Sequence, residues 1–159
     1  MVRLNRGLWQ VATPEIVVVG QGELSLVAEL YNQVFIPRRD QDFFSPRLTG
    51  KNNSLILIAN VQERPVGFSI GYELRPSTWF NWLLAVLADY RRAGIATQLL
   101  EAEQAWARDH NYHLLRIECR NRHRSMLHLA LAMDYDIMGT RWDPELNDNL
   151  VIFEKNLDT

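Results

Sequence analysis

The chain has 159 residues, of which 47% are hydrophobic and 23% charged, the size and balance of one globular domain with a packed core. Its formal net charge of -2 argues against bulk electrostatic capture of nucleic acid or of an anionic membrane. The one cysteine, Cys119, has no internal disulfide partner, and no apolar run has the length of a membrane span or a signal peptide. A cytoplasmic protein with neither nucleic-acid nor membrane partners is therefore expected.

In chain order, residues 1–14 read as a loose lead-in to a single domain over 1–159. Glu15 to Val19 is a short β-branched strand. Leu24, Val27, Leu30, Tyr31 and Val34 recur at helical spacing, and Asp40 to Leu48 makes a second short helix whose Phe43–Phe44 pair needs cover. Ser54 to Val61 and Val66 to Leu74 form a hairpin across a turn at Gln62 to Pro65. Trp79 to Leu87 is a third strand, aromatic at its start and aliphatic at its end.

Gly94 to Asp109 is the clearest helix, with Ile95, Leu99, Ala102 and Trp106 on one stripe and Gln98, Glu101, Gln104 and Arg108 away from it. Asn111 suits a left-handed stop. Tyr112 to Cys119 reads as a strand. Arg124 to Met133 reads as a buried helix, apolar almost all round. Tyr135 to Thr140 and Asn149 to Leu157 close the order as a strand pair. This succession predicts an α/β fold, an α+β sandwich built on one sheet.

The chemistry concentrates in the segment Val86 to Ala96, VLADYRRAGIA. A strand feeds a helix whose first turn exposes unpaired N–H groups and a partial positive charge, a natural seat for phosphate. Gly94 and Ala96 let an anion approach the backbone, and Arg91 and Arg92 add cationic donors. On local chemistry alone, the segment equally fits an ordinary strand–helix turn with a glycine for steric relief. No Gly-Lys-Ser/Thr follows, and no GxGxxG is present.

Arg91-x-x-Gly94-x-Ala96 resembles the Gln/Arg-x-x-Gly-x-Gly/Ala motif of the GNAT superfamily of acyl-CoA-dependent N-acyltransferases. The surrounding order from about Leu55 to Leu157 resembles that family too. The resemblance implies a mixed, mostly antiparallel sheet of six to seven strands flanked by about four helices. It also implies acetyl-CoA as co-substrate, with no metal. The N–H groups of Arg92, Ala93, Gly94, Ile95, Ala96 and Thr97 would hold the pyrophosphate, beside Arg91. Backbone groups of Leu84, Ala85 and Val86 would hold the pantetheine and the acyl carbonyl. Asn121 would stand at the mouth of the gap.

The reaction, attack of an amine on a thioester, needs a deprotonated amine, an oxyanion donor and a proton for the leaving thiolate. The family's strand-four glutamate is missing here, where Trp79-Phe80-Asn81-Trp82 stands. Glu73 is then the candidate base, set against a solvated strand-end carboxylate. The family's tyrosine acid falls at Ala130. His128 is the candidate acid, set against a packing histidine. Cys119 is expected to be inert core. The run Arg116, Arg120, Arg122, His123, Arg124 suits either the 3′-phosphate of coenzyme A or a solvated loop.

The resemblance places the acceptor site among Phe35, Arg39, Phe43, Phe44, Trp79, Trp82 and Trp142. These aromatics suit an amine and equally a homodimer interface. The expected function is direct N-acetyl transfer from acetyl-CoA to a primary amine of a small molecule or protein. The rival is a coenzyme-A-binding sensor or partner module with a decayed active site.

Overall fold

The computed structural model describes residues 13–158, so residues 1–12 of the expected lead-in lie outside the described residues. Seven strands form one sheet: β1 (Glu15–Val19), β2 (Ser54–Val61), β3 (Arg64–Arg75), β4 (Thr78–Val86), β5 (Leu114–Arg120), β6 (Asp136–Asp143) and β7 (Asp148–Asn156). They lie in the order β1-β2-β3-β4-β5-β7-β6. The β4–β5 pair is parallel and every other pair antiparallel. Four helices complete the described fold: α1 (Leu24–Asn32), α2 (Gln41–Leu48), α3 (Ile95–Asp109) and α4 (Arg124–Ala132). This is the mixed, mostly antiparallel sheet the sequence predicts.

The register assigns side chains to faces. Tyr72 pairs with Phe80 and Ile70 with Leu83, while Gly71 pairs with Asn81 and Ser69 with Leu84. Alternation puts the first two pairs on one face and the last two on the other. α2 covers the first face, since Phe43 and Phe44 both contact the ring of Trp82. α1 adds Tyr31 to the same cluster. α3 covers the second face, where Glu103 meets Ser69, Trp79 and Asn81. Phe44, Phe68 and Phe153 are at most 1% exposed, each worth about 1.5–3 kcal/mol of apolar burial.

Between Asn81 and Leu83 the register slips by one residue, so Trp82 is the extra residue of a β-bulge. Such an insertion bends a strand and re-aims the side chains beyond it: Trp82 keeps the α2 face of Phe80, and Leu83 is brought to that same face opposite Ile70.

Some sequence expectations need correction. The turn at Gln62 to Pro65 shrinks to Gln62-Glu63, both left-handed at φ 50° and 65°, as a two-residue hairpin requires. The strand expected from Tyr112 begins at Leu114, because the Tyr112 N–H turns back to the Ala107 carbonyl. Gln104 is buried rather than on the solvent side of α3. It donates to the Tyr135 hydroxyl, which ties α3 to the segment after α4. α4 is not buried all round: Met126 and Ala130 are its buried residues, and Leu131 is 50% exposed.

Candidate active site

β4 and β5 run together only from Thr78–Leu114 to Asn81–Ile117. Beyond that point β4 follows β3 as far as Val86, and β5 follows β7 as far as Arg120. A gap therefore opens between Trp82–Val86 and the end of β5. The Leu87 N–H reaches across to the Val66 carbonyl. With the alternation of a strand, Leu84 and Val86 then turn their backbone groups away from β3 and into the gap. Consistent with this, the Val86 carbonyl accepts from Arg91 Nε at 3.0 Å.

The chain leaves β4 through a single turn of 3-10 helix, Ala88–Tyr90, and enters α3 with Arg92 and Gly94 left-handed at φ 59° and 79°. Gly94 caps α3 without a side-chain hydrogen bond. Of the N–H groups of residues 92–97, that of Ala93 closes the preceding turn, and the others meet no backbone carbonyl among the described residues. Donors grouped in this way at the positive end of a 15-residue helix suit an anion. Their position beside the gap fits a pyrophosphate whose thioester arm runs along Val86 and Leu84. The described residues thus fit acetyl-CoA.

The far rim is the turn after β5. The Asn121 N–H donates to the Asn149 carbonyl, and its side chain accepts from Arg124. His123 is held below its ordinary pKa by burial, with Arg91 and Arg120 adding repulsion. That interaction puts the two loops within electrostatic reach of each other across the mouth. The rest of the basic run is partly occupied. Arg116 pairs with Glu118 and Glu154, and Arg122 with Asp148.

On the α2 face, Phe35, Phe43 and Trp82 lie in one aromatic cluster around Tyr31. Tyr31 contacts Phe35 at 4.8 Å and Phe43 at 5.8 Å, and Phe43 contacts Trp82 at 5.8 Å between ring centres. Asn32 clamps the backbone N–H and carbonyl of Arg39, both at 2.7 Å. This holds the α1–α2 loop and sets the Arg39 guanidinium 4.5 Å from the centre of the Phe43 ring. A groove of about 540 Å³ opens beside this loop, between α1 and Arg38 to Gln41.

Trp79 does not belong to this cluster. It is fully buried on the α3 face, packed on Trp106 and Tyr112, and its indole N–H donates to Glu103 at 2.8 Å. Residues 79 and 82 differ by an odd number, so even a regular strand would point them to opposite faces. Trp142 stands 56% exposed on the edge strand β6, with no ring contact to the cluster among the described residues.

Glu73 pairs across the hairpin with Trp79, three residues before the bulge and about 10 Å along the strand from it. Its carboxylate accepts from Asn52 at 2.6 Å and from the Tyr112 hydroxyl at 3.2 Å. His128 is exposed on α4, which removes the packing explanation for it. Cys119 is buried and its thiol is pushed up to about 11 by that burial, so it remains protonated and unreactive at neutral pH.

Sequence reasoning missed Glu103. It is fully buried and accepts from Ser69 at 2.5 Å, Asn81 at 2.6 Å and Trp79 at 2.8 Å. Burial nevertheless raises its pKa, with the three hydrogen bonds opposing. The wheel carried the clue: 99, 103 and 107 are four apart, so Glu103 sits between two core positions. Arg47 and Lys51, beside Trp82 and Tyr72, were missed as well. Nothing in their spacing marks them, because the partners come from distant strands.

A split parallel pair with an anion-binding turn at its mouth defines a class of acyl-coenzyme-binding transferase folds. The acetyltransferase (GNAT) family model matches residues 24–135, and the chain belongs to that family. Solved structures share the fold. The ribosomal-protein-S18-alanine N-acetyltransferase of Escherichia coli superposes with a TM-score of 0.80 at 14% identity, covering 92% of this chain and 96% of that one. An N-acetyltransferase of Staphylococcus aureus gives 0.74 at 19% identity, covering 92% and 100%. The yncA protein of Salmonella typhimurium, solved with its cofactor acetyl-CoA, gives 0.71 at 14%, covering 91% and 94%. A comparison with curated protein sequences finds no match.

Proposed function

We propose that this acetyltransferase moves the acetyl group of acetyl-CoA directly onto a primary amine. The observation that carries the reading is the β4–β5 gap, with the N–H groups of residues 92–97 at its mouth. In this reading those N–H groups hold the pyrophosphate, and Arg91 and Arg92 flank it. The gap-facing backbone of Leu84 and Val86 holds the pantetheine arm. The acceptor enters from the α2 side, past Phe35, Phe43 and Trp82.

The amine nitrogen attacks the thioester carbonyl carbon. A C–N bond forms, the C–S bond breaks, one amine proton leaves to base or water, and the departing thiolate takes a proton. The Leu84 N–H is the donor proposed for the oxyanion. Of the catalytic candidates, Asn121 stands at the far rim of the gap. Glu73 lies away from it, and His128 is on the exposed side of α4. The main rate contribution proposed here is therefore positioning plus the backbone oxyanion contact. A cytoplasmic setting is proposed on the single cysteine, which is buried and unpaired.

A panel of primary amines with acetyl-CoA, read by thiol release, tests the proposal. Acetylated product from at least one amine is the expected result. Coenzyme A binding with no turnover across a broad panel would favour the sensor reading. In an active enzyme, Glu73→Gln should keep the low-pH limb of the rate profile. A lost limb would restore Glu73 as the base.

A further inference from the structure

The acceptor face of the sheet carries two sets of charges that behave differently. Over β5, β7 and β6 the cations are paired. Arg116 lies against Glu118 and Glu154 at 3.1 and 3.5 Å, Arg75 against Glu154 at 3.8 Å, and Arg141 against Glu118 at 3.3 Å. On α2 and the segments flanking it, beside the entrance to the gap, they are not. Arg39, Arg47 and Lys51 have no carboxylate within ion-pair distance among the described residues.

These three cations rest on aromatic rings. Arg47 lies 5.1 Å from the centre of the Trp82 ring and 5.8 Å from that of Tyr72. Its Nε donates to the Tyr72 hydroxyl at 3.0 Å. Lys51 Nζ lies 4.5 Å from the Tyr72 ring centre. Ring contacts hold a cation in place without neutralising it. The hydrogen bond fixes the Arg47 fork and leaves its terminal N–H groups for another acceptor, the bidentate geometry a carboxylate fits.

Two nearby acids are engaged elsewhere. Asp40 caps α2 by accepting from the Asp42 N–H at 3.0 Å. Glu73, next to Tyr72, points to the opposite face, where Tyr112 and Asn52 hold it. Trp82 is the bulge residue at the point where β4 leaves β5, so the Arg47 guanidinium stands next to the place where an amine would enter.

We infer that the acceptor is an amine bearing a carboxylate, which Arg47 and Lys51 hold while the amine reaches into the gap past Trp82. The inference rests on the acetyl-transfer reading for the position of the amine, but not for the carboxylate site itself. The carboxylate has two possible sources, the α-carboxylate of a free amino acid or an acidic side chain near the N-terminus of a peptide.

Matched probes separate these sources: phenylalanine against phenylalaninamide, and peptides beginning Ala-Asp against the same peptides beginning Ala-Asn. Thermal stabilisation of the coenzyme-A-saturated protein by each probe reads binding without requiring turnover. Thiol release with acetyl-CoA reads transfer. In at least one pair the carboxylate member should bind, and where turned over show a kcat/KM, about tenfold to a hundredfold better than its neutral partner, the worth of a charge-assisted hydrogen bond.

Arg47→Gln should erase that preference through KM for the acceptor, leaving KM for acetyl-CoA unchanged. Lys51→Gln should weaken it, and Arg47→Lys should restore part of it. Preference in the first pair assigns the α-carboxylate, and preference in the second assigns the peptide side chain. Equal binding within both pairs, or a preference that survives Arg47→Gln, would overturn the inference. Carboxylate-dependent binding with no thiol release would keep the anion site and remove the transfer reading instead.

Discussion

The two faces of β4 treat their polar groups in opposite ways. Toward α3, Ser69, Trp79, Asn81 and Glu103 close on one another inside the core, and the hydrogen bonds are spent within the protein. Toward α2, Arg47 and Lys51 lie on rings with no anionic partner among the described residues. A buried network that satisfies itself fixes the shape of the strand that borders the gap. A cation left open at the surface is available to a ligand. The closed network and the open cations thus lie on two sides of a single strand.

The largest effect should come from opening the closed side. Glu103→Leu strands three buried donors, and denaturant unfolding should show a loss on the order of 3 kcal/mol or more. Gly71→Ala should destabilise as well, since its Cβ would run into Glu103 Oε1 and Trp79 Nε1. Arg47→Gln should change stability by less than about 0.5 kcal/mol. If Glu103→Leu were as mild as Arg47→Gln, the contrast between the faces would fail.

Next in size is Gly94→Glu. It places a side chain at φ 79° and a negative charge at the anion seat. Calorimetry should show coenzyme A affinity reduced by about a hundredfold or more, with the acceptor face untouched.

A smaller effect follows from the raised pKa of Glu103. Between its ordinary 4.5 and the higher folded value, the native state holds a proton that the unfolded chain has released. Stability should therefore fall as pH rises through that window, and Glu103→Gln should remove this component of the slope. Urea midpoints across a pH series read the difference. The smallest expected effect is that of His128→Phe. With the side chain exposed, kcat and melting temperature should stay at wild-type values, and a large loss of kcat would instead mark His128 as the acid.

What was legible in the sequence follows the same division. The turn from Arg91 to Thr97 could be read because its left-handed Gly94 and helix start are local features, and the anion role proposed for it needs only backbone N–H groups. The sheet and helices could be read from periodicity. Glu103 was hidden because a polar letter in a helix suggests solvent, although its place between Leu99 and Ala107 pointed inward. Trp79 falls outside the cluster because the resemblance carries over the segment around strand four as a whole, and parity along the strand divides Trp79 from Trp82. Arg47 and Lys51 gain meaning only when α2 packs on Tyr72 and Trp82, contacts between residues far apart in the chain.

The central claim, that the β4–β5 gap and the turn into α3 form a coenzyme A seat, is tested most directly by the melting temperature of the wild-type chain as coenzyme A is added. A ligand of the native state at about a hundred times its dissociation constant stabilises by about 2.7 kcal/mol, a rise of about 5–10 °C for a domain of this size. The account predicts that rise for the wild type and its loss in Gly94→Glu. A melting temperature that does not move at millimolar coenzyme A would contradict it.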